Sequence, residues 1–132
     1  MVTTLGLNAI ADHLGDKNTP INFAWIGYGS DATAAALGQE ALIAPVGARI
    51  AATVETTSIL KPNDTVKFLS EVTPATLGTC VEIGVFTAET GGTMLLRKLM
   101  VPPMTYKAKD TLYFIVTVTI RNKAVGTDDG NW

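Results

Sequence analysis

The chain has 132 residues, 10 of them basic and 12 acidic, for a net charge of −2. A length of this order builds one domain with a real core and needs no disulfide staples. The scattered charge excludes the basic stripe of a dedicated nucleic-acid binder, and an apolar fraction of 47% with mean hydropathy of +0.27 excludes a disordered chain and leaves apolar surface for a partner to cover.

No apolar run reaches the roughly 18–20 residues that a membrane helix needs. Residues 1–6 lack the charged and apolar regions of a signal peptide. The single cysteine cannot close an internal disulfide. Neither a membrane nor a nucleic acid is therefore expected as a partner.

The first predicted element is a short helix. Leu7, Ile10, Ala11 and Leu14 recur at helical spacing, Thr3 or Thr4 can cap the start, and Gly15 suits the end. Residues 16–20 read as a polar turn. A strand is expected over residues 21–28, with Phe23, Trp25 and Gly27 on one face and Asn22, Ala24 and Ile26 on the other. A loop follows at residues 29–33. Residues 34–42 hold good helix formers, but Gly38 interrupts them at about 1 kcal/mol against alanine. They read as a loop with at most one helical turn.

Residues 49–57 are the second predicted strand, in which Ile50, Ala52 and Val54 alternate with Ala51, Thr53 and Glu55. Lys61-Pro62-Asn63-Asp64 is a turn, with proline at a pre-organised position. The third strand spans residues 66–72. A strand over residues 80–86 then meets Glu89-Thr90-Gly91-Gly92, a hairpin signal because both glycines accept positive φ. The return strand covers residues 94–101 and is expected to stop at Pro102-Pro103, which cannot donate to a ladder.

The cleanest strand comes last. Leu112, Phe114, Val116, Val118 and Ile120 fall on one face, and Thr111, Tyr113, Thr117, Thr119 and Arg121 on the other, with Ile115 as the apolar exception. Period-two alternation of this length marks a half-buried antiparallel strand. The elements sum to an all-β fold, an antiparallel β-sandwich of about six to eight strands with a short N-terminal helix. One domain covers residues 1–121. Residues 122–132 form a polar tail in which Trp132 is either an anchor in a neighbour or an idle end.

The chemical inventory is thin. His13 is the one histidine, and Asp12 beside it points elsewhere on a helix. Cys80 opens a strand with nothing near it to lower its pKa. No set of zinc ligands can be assembled, Gly27-Tyr28-Gly29 reads as a tight turn rather than a phosphate loop, and Asp128-Asp129-Gly130-Asn131 lacks the spacing of a calcium loop. No catalytic residue, cofactor or metal site is expected. Glu82 has two readings. It lies either on a solvated strand face or in a buried pair with an arginine such as Arg49 or Arg97, fixing one strand against another. Trp25, Tyr28 and Tyr106 could contact a carbohydrate or receptor, with core packing as the other use, above all for Trp25.

The order of features resembles a family of small tailed-phage and prophage virion proteins, which includes tail-fibre or tail-collar N-terminal domains and stand-alone tail-associated proteins. The resemblance rests on G-L-N-A-I (residues 6–10), P-I-x-F-A-x-I-G-Y-G (20–29), A-L-G-Q-E (36–40), Arg49, E-I-G-V-F-x-A (82–88), G-G-T-M-L-L-R (91–97), V-P-P (101–103) and K-D-T-L (109–112). It covers about residues 5 to 121. Val81 and Thr87 stand where the family often has an arginine and an aspartate.

The resemblance implies a virion building block, assembled in the host cytoplasm, whose partners are other virion proteins and copies of itself in a symmetric assembly. Tail, baseplate or fibre attachment is the leading location. A capsid decoration or vertex role and a receptor- or carbohydrate-binding module are the alternatives. Candidate contacts are Ser30, Asp31, Ala34, Ala35, Leu37 and Glu40 in the loop of residues 30–44, Thr90, Gly91 and Gly92 at the hairpin tip, and Trp132. The loop is nearly free of charge, as an interface core tends to be, so a neighbouring subunit is expected to bury it.

Overall fold

Alternation sets the layers. The computed structural model describes residues 1–15, 22–59 and 64–120. These form helix α1 (Thr4–Leu14) and strands β1 (Trp25–Gly29), β2 (Ile50–Ala51), β3 (Thr53–Thr57), β4 (Thr65–Val72), β5 (Gly78–Phe86), β6 (Met94–Tyr106) and β7 (Leu112–Thr119). Two antiparallel sheets result, one in the order β2-β1-β5-β6 and one in the order β3-β4-β7. They pack as a β-sandwich. The apolar rows that face each other make the core, with Ile26, Tyr28, Cys80 and Val85 from the first sheet against Phe68, Leu112 and Phe114 from the second. Tyr28 spans the gap, its ring centroid 6.1 Å from that of Tyr106 and 5.3 Å from that of Phe114.

Helix α1 follows its sequence signals. Thr3 is the N-cap, its hydroxyl accepting from the Gly6 N–H at 2.9 Å and donating to the Met94 carbonyl. Gly15 closes the far end, donating its N–H to the Ala11 carbonyl. The helix lies against β6 at Gly6, where any Cβ would collide with the Leu95 backbone. Ahead of the helix, Val2 bridges to Leu96, and the Arg97 N–H donates to the Met1 carbonyl at 3.0 Å.

Three expectations change. The first strand begins at Trp25, and its Gly27 and Gly29 are strand residues, not a turn. The run 49–57 is two strands: Ile50 pairs with Ile26 in one sheet, whereas Val54 pairs with Phe68 in the other. Between them the Ala52 N–H donates to Ala24 at 2.7 Å, and the chain crosses from sheet to sheet. The return strand passes straight through Pro102-Pro103 and ends at Tyr106. It can do so because Leu99 pairs with Glu82 and Met104 with Cys80, so both prolines sit in a bulge that asks for no N–H. Residues 34–42 are a loop with one turn, in keeping with the expectation. The expected turns at residues 16–20 and 61–64 lie wholly or largely outside the described residues, as does Arg121.

A second bulge, between Val85 and Phe86, decides what the hairpin buries. Val85 pairs with Leu96 and Phe86 with Met94, leaving Leu95 as the extra residue. Leu95 and Leu96 both join the main core, while Met94 faces the opposite side with Phe86.

Candidate functional site

The outer face of the four-stranded sheet is the site to which the sequence pointed through Glu82. Register puts Trp25, Gly27 and Gly29 of β1 beside Phe86, Gly84 and Glu82 of β5. This face is covered by the segment of residues 30–49, which crosses it as a strap. Leu42 is buried there with Phe86 and Met94, and Trp25 packs against them. The paired Gly27 and Gly84 make the space, since a Cβ at Gly84 would lie 2.8 Å from the Phe86 ring and 3.0 Å from the Leu42 side chain.

Glu82 is therefore buried, and the solvated-face reading is overturned by the strap that covers it. Its partner is Arg97, not Arg49. Arg97 lies opposite Gly84, so the two charged residues meet on the diagonal of the β5–β6 ladder. Arg97 Nε donates to Glu82 Oε2 at 2.6 Å, with the two side chains 1% and 0% exposed. A buried pair of this kind is tolerable only if the remaining donors and acceptors are satisfied. The strap satisfies them. The N–H groups of Ile43 and Ala44 donate to Glu82 at 3.2 and 2.8 Å. In return Arg97 donates to the Thr33 carbonyl at 2.6 Å and to Asp31 at 3.4 and 3.5 Å.

Asp31 is itself ordered locally. Hydrogen bonds from the Thr33 hydroxyl and N–H, with Arg97 adding a smaller pull, hold its carboxyl below the ordinary range. The strap also has backbone ties, from Ser30 N–H to Ala44 at 3.0 Å and from Val46 N–H to Tyr28 at 2.8 Å. Thr4 at the start of α1 donates its N–H to the Leu37 carbonyl at 2.8 Å, linking helix and strap.

Arg49 has a different task. Its guanidinium lies 3.5 Å from the centroid of the Phe86 ring and donates to Ala88 and Gly91 at 2.8 and 2.6 Å. It thus holds the β5–β6 hairpin tip, where Gly91 and Gly92 take φ of 62° and 68°.

The candidate contact residues divide. Ser30, Ala34, Leu37, Glu40, Thr90, Gly91 and Gly92 are exposed, whereas Asp31 and Ala35 are half-buried against their own domain. Trp132 lies outside the described residues. Tyr28 and Tyr106 are 4% exposed, which removes them as carbohydrate contacts, and Trp25 is half-buried in the packing under the strap. His13 is exposed on α1. Cys80 is fully buried, and burial pushes its thiol up to about 11. Among the described residues no cluster of three or more histidine, cysteine, aspartate or glutamate side chains could hold a metal, and no helix is long and apolar enough to cross a membrane.

Gly29 was read from sequence only as part of a turn, and Leu42 and the N–H pair of Ile43 and Ala44 were not singled out. The signal was available in part. Gly27, Gly29 and Gly84 share one side of neighbouring strands, and strand glycines often mark close approach by another segment. No protein-family model matches this chain, and no curated protein matches it.

Proposed function

We propose that this chain is a structural subunit of a tailed-phage or prophage-derived virion, acting through subunit interfaces in the tail or baseplate or as a fibre-attachment protein. The observation that carries the reading is the use to which the family-like motifs are put. E-I-G-V-F-x-A and G-G-T-M-L-L-R lie in the two arms of one hairpin, and Glu82 and Arg97 within them form the buried pair that fixes the strap. The strap's outward residues, Ala34, Leu37 and Glu40, are thereby presented in one shape. Pre-organising a contact in this way lowers the ordering cost of assembly. The motifs thus build a scaffold for contact with other virion proteins and with further copies of the chain, and no cofactor enters the reading.

Immunogold labelling of intact particles from the source, viewed by electron microscopy, tests it. Label at the tail or its tip is the expected result. Label over the head or at its vertices moves the protein to the capsid-accessory class. Absence of label from every particle, with the epitope accessible, overturns the virion reading.

A further inference from the structure

We propose that the open edge of β7 is a strand-addition site for an extended peptide of a partner protein, one with apolar side chains at alternate positions and a carboxylate at the Lys98 end. A sheet edge presents unpaired N–H and C=O groups, and natural proteins blunt such edges with charges, prolines, bulges or covering segments. Three of the four edges here are blunted. Strand β2 is two residues long, and β3 carries Glu55. Strand β6 carries Lys98 and the Pro102-Pro103 bulge, and Met1 and Val2 cover part of it.

Strand β7 has none of these devices. Its eight residues contain no charge and no proline, and they pair with β4 without a register shift. Among the described residues nothing pairs with its other edge. Tyr113 and Ile115 beside that edge are 69% and 64% exposed.

The edge also has a groove next to it. Between β6 and β7 lies a cavity of about 460 Å³, with Ile83, Leu96, Met100 and Val101 on one side and Ile115 and Val116 on the other. A strand added to β7 would turn every second side chain toward this apolar wall, while its backbone took up the free donors and acceptors. Lys98 also lines the groove and is exposed. The ion pairs formed among the described residues are those of Arg97 with Glu82 and Asp31, and neither involves Lys98. A carboxylate on the incoming strand supplies the missing charge. That requirement selects against a second copy of β7, which carries no carboxylate.

The test uses the full chain and a fluorescein-labelled peptide that alternates valine and threonine and ends in two aspartates. Fluorescence anisotropy is expected to show saturable binding. Lys98→Glu should weaken it about fivefold, the scale of an exposed charge pair. The same peptide with alternate backbone amides methylated should not bind. Hydrogen exchange on the free, dilute chain should find alternate β7 amides unprotected, and the peptide should protect them. Equal binding by the methylated peptide, or no effect of Lys98→Glu, overturns the proposal. So does full β7 protection in the dilute free chain, which would mean that the chain covers its own edge. Protection that rises with protein concentration alone would mean that a second copy fills it, and overturns the proposal as well.

Discussion

Gly29 stands directly across the β1–β5 ladder from Glu82, and the space left by its missing side chain is where the Glu82 carboxylate and the Ala44 carbonyl lie. A methyl group there meets both at once. Gly29→Ala should therefore lower stability by about 3 kcal/mol, the upper range for overpacking a site that cannot relax. Urea unfolding should give a lower midpoint with an unchanged slope. A midpoint equal to that of the parent chain would mean that the strap gives way easily.

Removing one partner of the buried pair should cost more than removing both. Arg97→Met leaves the Glu82 charge without its cation and should destabilise by about 4 kcal/mol. The double change Glu82→Gln with Arg97→Met should recover part of that loss, because no charge is then buried and the glutamine carbonyl can still accept from the Ala44 N–H. A double-mutant cycle by chemical denaturation measures the coupling. Strict additivity would contradict the geometry described.

Arg49 should matter locally. Arg49→Ala removes the cation over Phe86 and two hydrogen bonds to the hairpin tip, for a loss of about 1–2 kcal/mol. Amide exchange should speed up in residues 88–92 and stay unchanged in β7. A uniform rise across the chain would instead mark a global role.

Thr3 should anchor the helix. Its hydroxyl serves both the Gly6 N–H and the Met94 carbonyl, and the residue is 1% exposed. Thr3→Ala should cost about 1–2 kcal/mol and reduce helical circular dichroism before the sheet signal changes. Simultaneous loss of both signals would show that helix and sandwich cannot separate.

Alkaline pH should weaken the fold in two steps. Burial raises Cys80 from 9.0 to about 11. Burial, with a hydrogen bond that Tyr28 donates to Tyr106, raises Tyr28 from 10.0 to about 12. In both groups the folded state holds its proton after the unfolded state has lost it, so stability is complete below the unfolded values and falls as pH climbs toward the folded ones. The first step, from about pH 9 to 11, is worth about 3 kcal/mol. Cys80→Ala should delay the onset to about pH 10, where the tyrosine begins to act. An unaltered onset in urea titrations would exclude the thiol as its source.

The elements legible in the sequence were those fixed by neighbours along the chain. Thr3 and Gly15 mark the ends of α1, although of the apolar residues at helical spacing only Ile10 packs on the core, while Leu7, Ala11 and Leu14 are exposed. Alternation from Leu112 onward defines β7, and Gly91-Gly92 defines the hairpin. The misread features are set by distant partners. Ile50, Ala52 and Val54 keep one parity while the chain changes sheets, so alternation is blind to the crossing at Ala52. Pro102 and Pro103 looked like a stop because their bulge exists only through the β5 register. Glu82 looked equally able to face water because the strap that covers it comes from residues about 40 positions earlier in the chain, and no local pattern announces a cover.

The attachment of the N-terminal segment to β6 has a consequence for synthesis. Met1, Thr3 and Gly6 take their partners from Met94, Leu95 and Arg97, more than 85 residues downstream. These residues are thus made well before β6 and find their place only when it arrives. Until β6 has emerged, Thr3 has no Met94 carbonyl to bond, α1 has no strand to lie on, and β5 lacks the neighbour that carries Arg97. The sandwich is consequently completed only once β6 arrives, in a late closure that joins the N-terminal segment to that strand. The growing polypeptide carries an unpaired Glu82 and a bare apolar sheet face until then, and this interval is when a chaperone has something to hold.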